Sequence, residues 1–200
     1  DPSLSRGRNF LRLALAGEAG LLLLAWAVGR WLGISPLEQL HPTAGAFAAG
    51  AAAAVPLLVG LRWTLTTSTR AIRRLVALVV EQLGPLLALR SPVELVLLAL
   101  MAGFAEELLF RGVVQAGLAR VLPDWAAVLV SGAAFGLAHF ITPAYALLAG
   151  VAGVYLGGLF WLEGSLTAPI VAHAFYDIVA LNYVARLSRS PVHRYEYSGR

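Results

Sequence analysis

Long apolar runs separated by short polar segments are the main pattern along the chain of 200 residues. The runs are continuous and do not alternate with polar residues, which is typical of membrane-spanning helices and not of transmembrane strands. At about 20 residues per helical span, the pattern predicts an all-α, polytopic transmembrane helix bundle of about six spans. The predicted spans cover residues 10–32, 44–61, 92–120, 125–140, 144–162 and 166–185.

Residues 70–89 follow a different pattern. Arg70, Arg73, Arg74 and Glu81 interrupt an apolar periodicity, which predicts an amphipathic helix that lies on the membrane surface and does not cross it. The chain then divides into three regions. These are an N-terminal flank with two generic transmembrane helices (1–69), a membrane core of the amphipathic helix plus four transmembrane helices (70–185), and a polar C-terminal tail (186–200).

Composition narrows the class of protein. Hydrophobic residues make up 59% of the chain and charged residues only 13%, against about 25% charged residues in an average soluble domain. These values exclude a soluble globule, a collagen-like chain and a nucleic-acid-binding protein, and leave the lipid bilayer as the surrounding medium. Cysteine is absent, which excludes disulfides, thiolate metal sites and a cysteine nucleophile.

Arginine supplies all 15 basic residues, and the arginines lie mostly between the apolar runs. The N-terminal flank, the segment after the second span and the C-terminal tail are the basic parts of the chain. Because basic segments favour the cytoplasmic side, six spans would place both termini there, in a multi-pass protein of the inner membrane. Arg120 is the exception, since it falls at the outer end of its span.

Ionisable side chains inside apolar spans are costly, at about 2.5 to 3.5 kcal/mol for an Asp or Arg at the centre of a helix. Three late helices nevertheless carry such groups, and since polar groups in hydrocarbon must face one another or a wet cavity, the pattern predicts one shared polar site. Its candidate residues are Glu106, Glu107, Arg111, His139, His173 and Asp177. The predicted span ends place Glu106 at mid-membrane, whereas His139 falls near the cytoplasmic end of its helix.

Helical spacing separates the roles of these groups. Glu107 and Arg111 are four residues apart and face each other, so they form a candidate ion pair. Glu106 points about 100° away from Glu107 and is left without a partner on its own helix, as a general base requires. His173 and Asp177 also stand four residues apart, on one side of the last span.

Three motifs carry these residues: GFAEELLFRG (103–112), FGLAH (135–139) and HAFYD (173–177). In this order, and on consecutive polar helices, they resemble the CAAX-protease and bacteriocin-processing family of intramembrane endopeptidases, also called abortive-infection-like proteins. The resemblance covers about residues 70–185. Any one of the motifs alone would be a weak signal, but the three together are specific.

The resemblance implies a glutamate-type protease that needs no cofactor. Its substrate would be a membrane-associated peptide or protein, with C-terminal and lipid-modified segments among the candidates. Glu106 and His139 would hold and activate the attacking water, and His173 and Asp177 would lie on the side of the oxyanion. Glu107 and Arg111 would orient the site.

One position departs from the family pattern, because eukaryotic prenyl-protein members usually have Asn where this chain has Asp177. An ionised aspartate accepts hydrogen bonds but cannot donate one. Asp177 would then accept from His173 and keep it cationic, which puts a direct oxyanion role for Asp177 in doubt.

Other functions remain open at the level of sequence. Glu106, His139, His173 and Asp177 would also make an N/O ligand set for zinc, although the chain lacks His-Glu-x-x-His. Ser131 with His173 is a serine-type alternative. A non-catalytic membrane scaffold or immunity protein and a proton-coupled transporter complete the alternatives. The pairs Gly132/Gly136 and Gly153/Gly157 are interpreted as sites of close helix packing.

Overall fold

A computed structural model describes residues 2–189, with side chains from residue 7 onward. Helices α1 to α9 span Pro2–Leu32, Ala44–Thr66, Arg70–Gln82, Gly84–Ala88, Pro92–Leu109, Ala116–Leu118, Asp124–Ala138, Pro143–Glu163 and Thr167–Arg189. A 3-10 turn, Pro36–Gln39, follows α1, and a π-helical segment, Phe110–Gln115, joins α5 to α6. No strand occurs in the described part of the chain, which confirms the all-α class.

Four of the described helices are long and apolar enough to cross a membrane: Gly7–Leu32 within α1, together with α2, α8 and α9. Length and composition of the helices therefore support four of the six expected spans. Helix α5 carries three carboxylates, Glu94, Glu106 and Glu107. Helix α7 has only 15 residues, or about 22 Å, which is shorter than the roughly 30 Å apolar layer of a bilayer.

Several predicted helix bounds differ from the structure. Helix α1 begins at Pro2, α9 continues to Arg189 in the predicted tail, and the predicted helix 92–120 is divided by the π-helical segment. Two further differences have a local cause. Helix α2 continues to Thr66 because the hydroxyls of Thr64 and Thr66 donate back to the carbonyls of Leu61 and Arg62, so these polar residues are satisfied within the helix. The predicted helix 70–89 is divided into α3 and α4. Pro85 has no N–H to donate to the preceding turn, so the helix is interrupted there and restarts.

Helices α7 and α8 form an antiparallel hairpin with close backbone contact. A Cβ atom on Gly132 would lie 2.7 Å from the Val154 nitrogen, and one on Gly136 would lie 2.9 Å from the Gly150 Cα. The glycines therefore let the two helices approach, as their spacing predicted. The hairpin turns at residues 139–142, where the Thr142 hydroxyl accepts from the Tyr145 N–H and starts α8.

Arg120, the exception to the charge pattern, has a structural partner. Its guanidinium donates to the Leu32 carbonyl at 2.5 Å and to the Gly33 carbonyl at 2.9 Å. These carbonyls belong to the end of α1, where intrahelical partners are missing. Arg120 thus caps α1, which explains an arginine at this end of the bundle.

Candidate functional site

Glu107 and Arg111 form the buried base of the site. Helix α5 ends with Glu106 and Glu107, and Arg111 follows in the π-helical segment. Arg111 donates to Glu107 Oε1 at 2.9 Å and to the Gly153 carbonyl of α8 at 2.8 Å. The Glu107 side chain has no exposed surface, so each charge neutralises the other away from solvent.

The π-helical segment is a feature that the sequence pattern did not predict. A π turn changes the backbone hydrogen-bond pattern of a helix and is frequent at functional sites. Here Ser131 of α7 donates to the Phe110 carbonyl at 2.8 Å, and Gln115 donates to the Gly157 carbonyl at 2.9 Å. Ser131, the candidate nucleophile of the serine-type alternative, is 1% exposed, and its hydroxyl proton is used in the hydrogen bond to Phe110.

His139 lies directly after α7, with its ring facing Glu106. Its Nδ1 is 2.9 Å from the Phe135 carbonyl, and because a carbonyl only accepts, Nδ1 carries the proton. The other ring nitrogen, Nε2, lies 3.5 Å from Glu106 Oε2. Nε2 of His139 therefore faces the Glu106 carboxylate. A doubly protonated imidazole donates to that carboxylate, and a neutral one presents its lone pair.

His173 is held in the same way from the other side. Its Nδ1 lies 2.8 Å from Glu107 Oε1, the carboxylate oxygen that also accepts from Arg111. Its Nε2 lies 3.6 Å from Asp177 Oδ2 and 3.9 Å from Glu106 Oε2. The structure therefore brings Glu106, His139, His173 and Asp177 together around one space.

The ring of Phe135 separates and orients the polar groups. Its centroid lies 4.3 Å from that of His139 and 5.9 Å from that of His173, and the Arg111 guanidinium carbon is 4.6 Å from it. The aromatic position of the Phe-x-x-x-His motif thus packs against all three cationic or titratable groups, and this packing limits their movement.

Convergence of Glu106 and His139 depends on the short α7. At 1.5 Å per residue, Glu106 lies about 18 Å before the end of α6, and His139 lies about 22 Å beyond the start of α7. The two residues are therefore at similar distances from the connection between α6 and α7. The contacts Glu106–His139 and Phe110–Phe135 keep this antiparallel register. The two residues reach the same level because α7 has only 15 residues, which removes the depth conflict in the predicted spans.

Exposure increases across the site. Glu107 is fully sealed, whereas the side chains of Asp177 and His139 are 23% and 25% exposed. Glu106 lies between these extremes, and its Oε2 has no hydrogen-bond partner among the described residues. The site therefore has a closed supporting base and an open side where a substrate could enter.

Two residues near the site were not assigned to it from the sequence. Glu18, expected to face the bundle, has a buried Oε2 without a partner among residues 7–189, and its carboxyl is influenced by the charges of Glu106 and Asp177. Tyr145 has its ring centroid 6.2 Å from that of His139. Neither residue belongs to the three motifs. The only sequence signal for either of them was a polar side chain within an apolar helix.

Metal binding was the alternative use of these ligand types. Within the described range, no group of three or more His, Cys, Asp and Glu side chains has an arrangement that could hold a metal ion. His139 Nδ1 and His173 Nδ1 face the Phe135 carbonyl and Glu107.

Comparison with known proteins identifies the family. Residues 88–179 match the model of the Rce1-like family, described as type II CAAX prenyl endopeptidase Rce1-like. The matched segment is just under half of the chain and contains all three motifs, so the match confirms the resemblance. No curated protein and no solved structure matched the chain. This match implies a protease that acts on membrane-associated protein substrates, and together with the four apolar helices it indicates an integral membrane protein.

Proposed function

We propose that this protein is a glutamate-type intramembrane endopeptidase that hydrolyses a peptide bond of a membrane-associated protein. The observation that carries the proposal is Glu106 Oε2, which has no hydrogen-bond partner among the described residues and lies 3.5 Å from His139 Nε2. When His139 is neutral both atoms are acceptors, so a water molecule that enters between them, with a small separation of the two side chains, has an acceptor for each of its two protons.

In the proposed first step, the water donates one hydrogen bond to Glu106 and one to His139 Nε2. The water oxygen attacks the scissile carbonyl carbon, and Glu106 takes a proton as general base. The same proton then passes to the amide nitrogen as the C–N bond breaks, so that the amine leaves neutral and Glu106 is ionised again. The Phe135 carbonyl holds His139 in the required tautomer.

His173 and Asp177 are assigned to the opposite side of the carbonyl. With Nδ1–H donated to Glu107, a second proton on His173 Nε2 would point toward Asp177 and toward the developing oxyanion. Asp177 favours this cationic form of the imidazole by its charge. Glu107 and Arg111 serve as orienting residues that contact neither water nor substrate.

The mechanism is proposed to proceed without a metal ion, since each role above is filled by a side chain of this chain. The protein is proposed to lie in the inner membrane with both termini in the cytoplasm, because the basic segments at residues 1–9, 70–74 and 186–200 then share one side. Its substrate class is proposed to be CAAX-type, a C-terminal segment whose cysteine carries a prenyl chain.

The experiment is a cleavage assay in proteoliposomes. The probe is an internally quenched peptide that ends in farnesyl-cysteine, two aliphatic residues and a terminal residue. Wild type should cleave it, with or without a strong chelator, and Glu106→Ala should not. A scaffold would leave the probe intact in both forms. Loss of cleavage on chelation with recovery on adding zinc would instead favour the metalloprotease.

A further inference from the structure

The oxyanion side of the proposed site is short of hydrogen-bond donors. Tetrahedral intermediates of acyl transfer are stabilised by donors that point to where negative charge develops. His139 Nδ1–H faces the Phe135 carbonyl, and His173 Nδ1–H faces Glu107. Among these groups, that leaves His173 Nε2, which lies between the carboxylates of Asp177 and Glu106.

Tyr145 is placed to supply a further donor. It belongs to the first turn of α8, three residues beyond the turn that follows His139, and its N–H donates to Thr142 Oγ1 at 3.2 Å. Its ring meets that of His139 edge-on, with centroids 6.2 Å apart and planes 73° apart. Tyr145 is half-buried and lies beside His139, the most exposed of the site residues.

Two other tyrosines help to define this position. Tyr155, further along α8, donates its hydroxyl to the Ala53 carbonyl at 2.9 Å and so joins α8 to α2. Tyr176 of α9 precedes Asp177 and is half-buried, and its hydroxyl makes no hydrogen bond to another residue in the range 7–189. The Tyr145 hydroxyl likewise makes no hydrogen bond to another residue in the range 7–189, and the ring that carries it packs against His139.

We propose that Tyr145 is a catalytic residue whose phenolic O–H donates a hydrogen bond to the oxyanion. As water attacks, the carbonyl π electrons move onto the oxygen, and the hydroxyl of Tyr145 and Nε2–H of His173 stabilise that charge. Tyr145 keeps its proton throughout, and the electrons return when the amine leaves. A neutral donor here supplies what an ionised Asp177 cannot. The inference rests on the proposed function.

The test is Tyr145→Phe, which removes the hydroxyl and retains the ring against His139. With the farnesylated peptide as probe, kcat should fall by about 10²–10³-fold, the usual effect of losing one oxyanion donor. KM and melting temperature should change little. Tyr155→Phe, on the same helix, and Tyr176→Phe are the matched controls, and both should retain kcat near the wild-type value.

A thioamide at the scissile bond distinguishes a hydrogen bond to the oxyanion from a purely structural role of Tyr145. Sulfur accepts hydrogen bonds more weakly than oxygen. Replacing the amide by the thioamide should therefore lower the kcat of wild type much more than it lowers the kcat of Tyr145→Phe. Equal losses in both proteins, or wild-type kcat in Tyr145→Phe, would overturn the proposal. A large loss in Tyr176→Phe alone would assign the donor to Tyr176. If wild type leaves the peptide uncleaved, the proposed function itself fails, an outcome distinct from these.

Discussion

At the scale of single residues, the site depends on acceptors that fix the protons of two histidines. The Phe135 carbonyl and the Glu107 carboxylate each accept from an Nδ1–H. Both imidazoles therefore present Nε2 to Glu106, at 3.5 and 3.9 Å. Each of the two adjacent glutamates has a buried Oε2 without a hydrogen-bond partner in the described range. They differ at their other contacts, because Glu107 Oε1 accepts from Arg111 and from His173, whereas the nearest ring nitrogen to Glu106 is His139 Nε2 at 3.5 Å.

Glu106→Gln and Glu107→Gln should separate these roles. Glu106→Gln retains the shape but removes the base, so kcat should fall by about 10²–10⁴-fold with little change in melting temperature. Glu107→Gln removes one member of a buried ion pair, which typically costs about 3–5 kcal/mol, and weakens the hold on His173. Its yield and melting temperature should therefore fall, with some activity left in the folded fraction.

Both variants are purified in detergent, and melting temperature and cleavage rate per folded molecule are measured. Near-wild-type cleavage by Glu106→Gln, together with a folded but inactive Glu107→Gln, would show that the two carboxylates have the opposite roles.

At the scale of secondary structure, the α7–α8 hairpin carries the open side of the site. His139 and Tyr145 lie on either side of its turn, and α7 is held to the π-helical segment by Ser131. The two helices approach at Gly132 and Gly136 with almost no space for a side chain. The distance between α7 and α8 should therefore control the geometry around His139.

Gly136→Ala should disturb this geometry. The added methyl group would overlap the Ala146 carbonyl and lie 2.9 Å from the Gly150 nitrogen. Overpacking of this kind costs about 1–3 kcal/mol, so melting temperature and cleavage rate should both fall. Gly158→Ala, on the outer face of α8, is the matched control, because its methyl group meets no atom within 4 Å. That variant should be as stable as wild type or more so, and a Gly136→Ala protein that matches it in both measurements would contradict the argument.

At the scale of the whole molecule, the short α7 changes how the chain is arranged without changing where its ends lie. If the α7–α8 hairpin turned back within the membrane, the termini would lie on the same side as with two full crossings. The predicted orientation, with both termini in the cytoplasm, is therefore compatible with fewer than six complete spans. It also puts α3, with Arg70, Arg73 and Arg74, on the cytoplasmic surface.

Accessibility labelling of single cysteines tests this arrangement, and the absence of native cysteine makes the chain suitable for it. Arg73→Cys and Leu89→Cys should react from the same side of the membrane, because the sequence pattern predicts that α3 and α4 lie along its surface. His41→Cys and Ser68→Cys, which flank the apolar helix α2, serve as the control pair and should react from opposite sides. Opposite sides for the first pair would mean that this segment crosses.

The sequence by itself determined the helical class, the starts of several helices and the membership of the site. Thr43, Ser91 and Thr142 precede helices and accept from their first N–H groups, and this signal lies within a few residues. The pairs Glu107/Arg111 and His173/Asp177 follow from one helical turn, which is equally local. The remaining ionisable groups lie in apolar stretches of sequence, where polar groups must face one another or a wet cavity. They were therefore expected to share one site.

Tertiary structure alone decided the π-helical segment, the early end of α7, and the positions of Tyr145 and Glu18 beside the site. The Phe110 carbonyl accepts from Ser131, a residue 21 positions away, and Arg111 donates to a carbonyl 42 positions away. Such contacts leave no periodic signal, because they depend on which helices pack together and in what register. The level at which His139 meets Glu106 is likewise a property of the bundle, since it is set by how far α7 extends against α5.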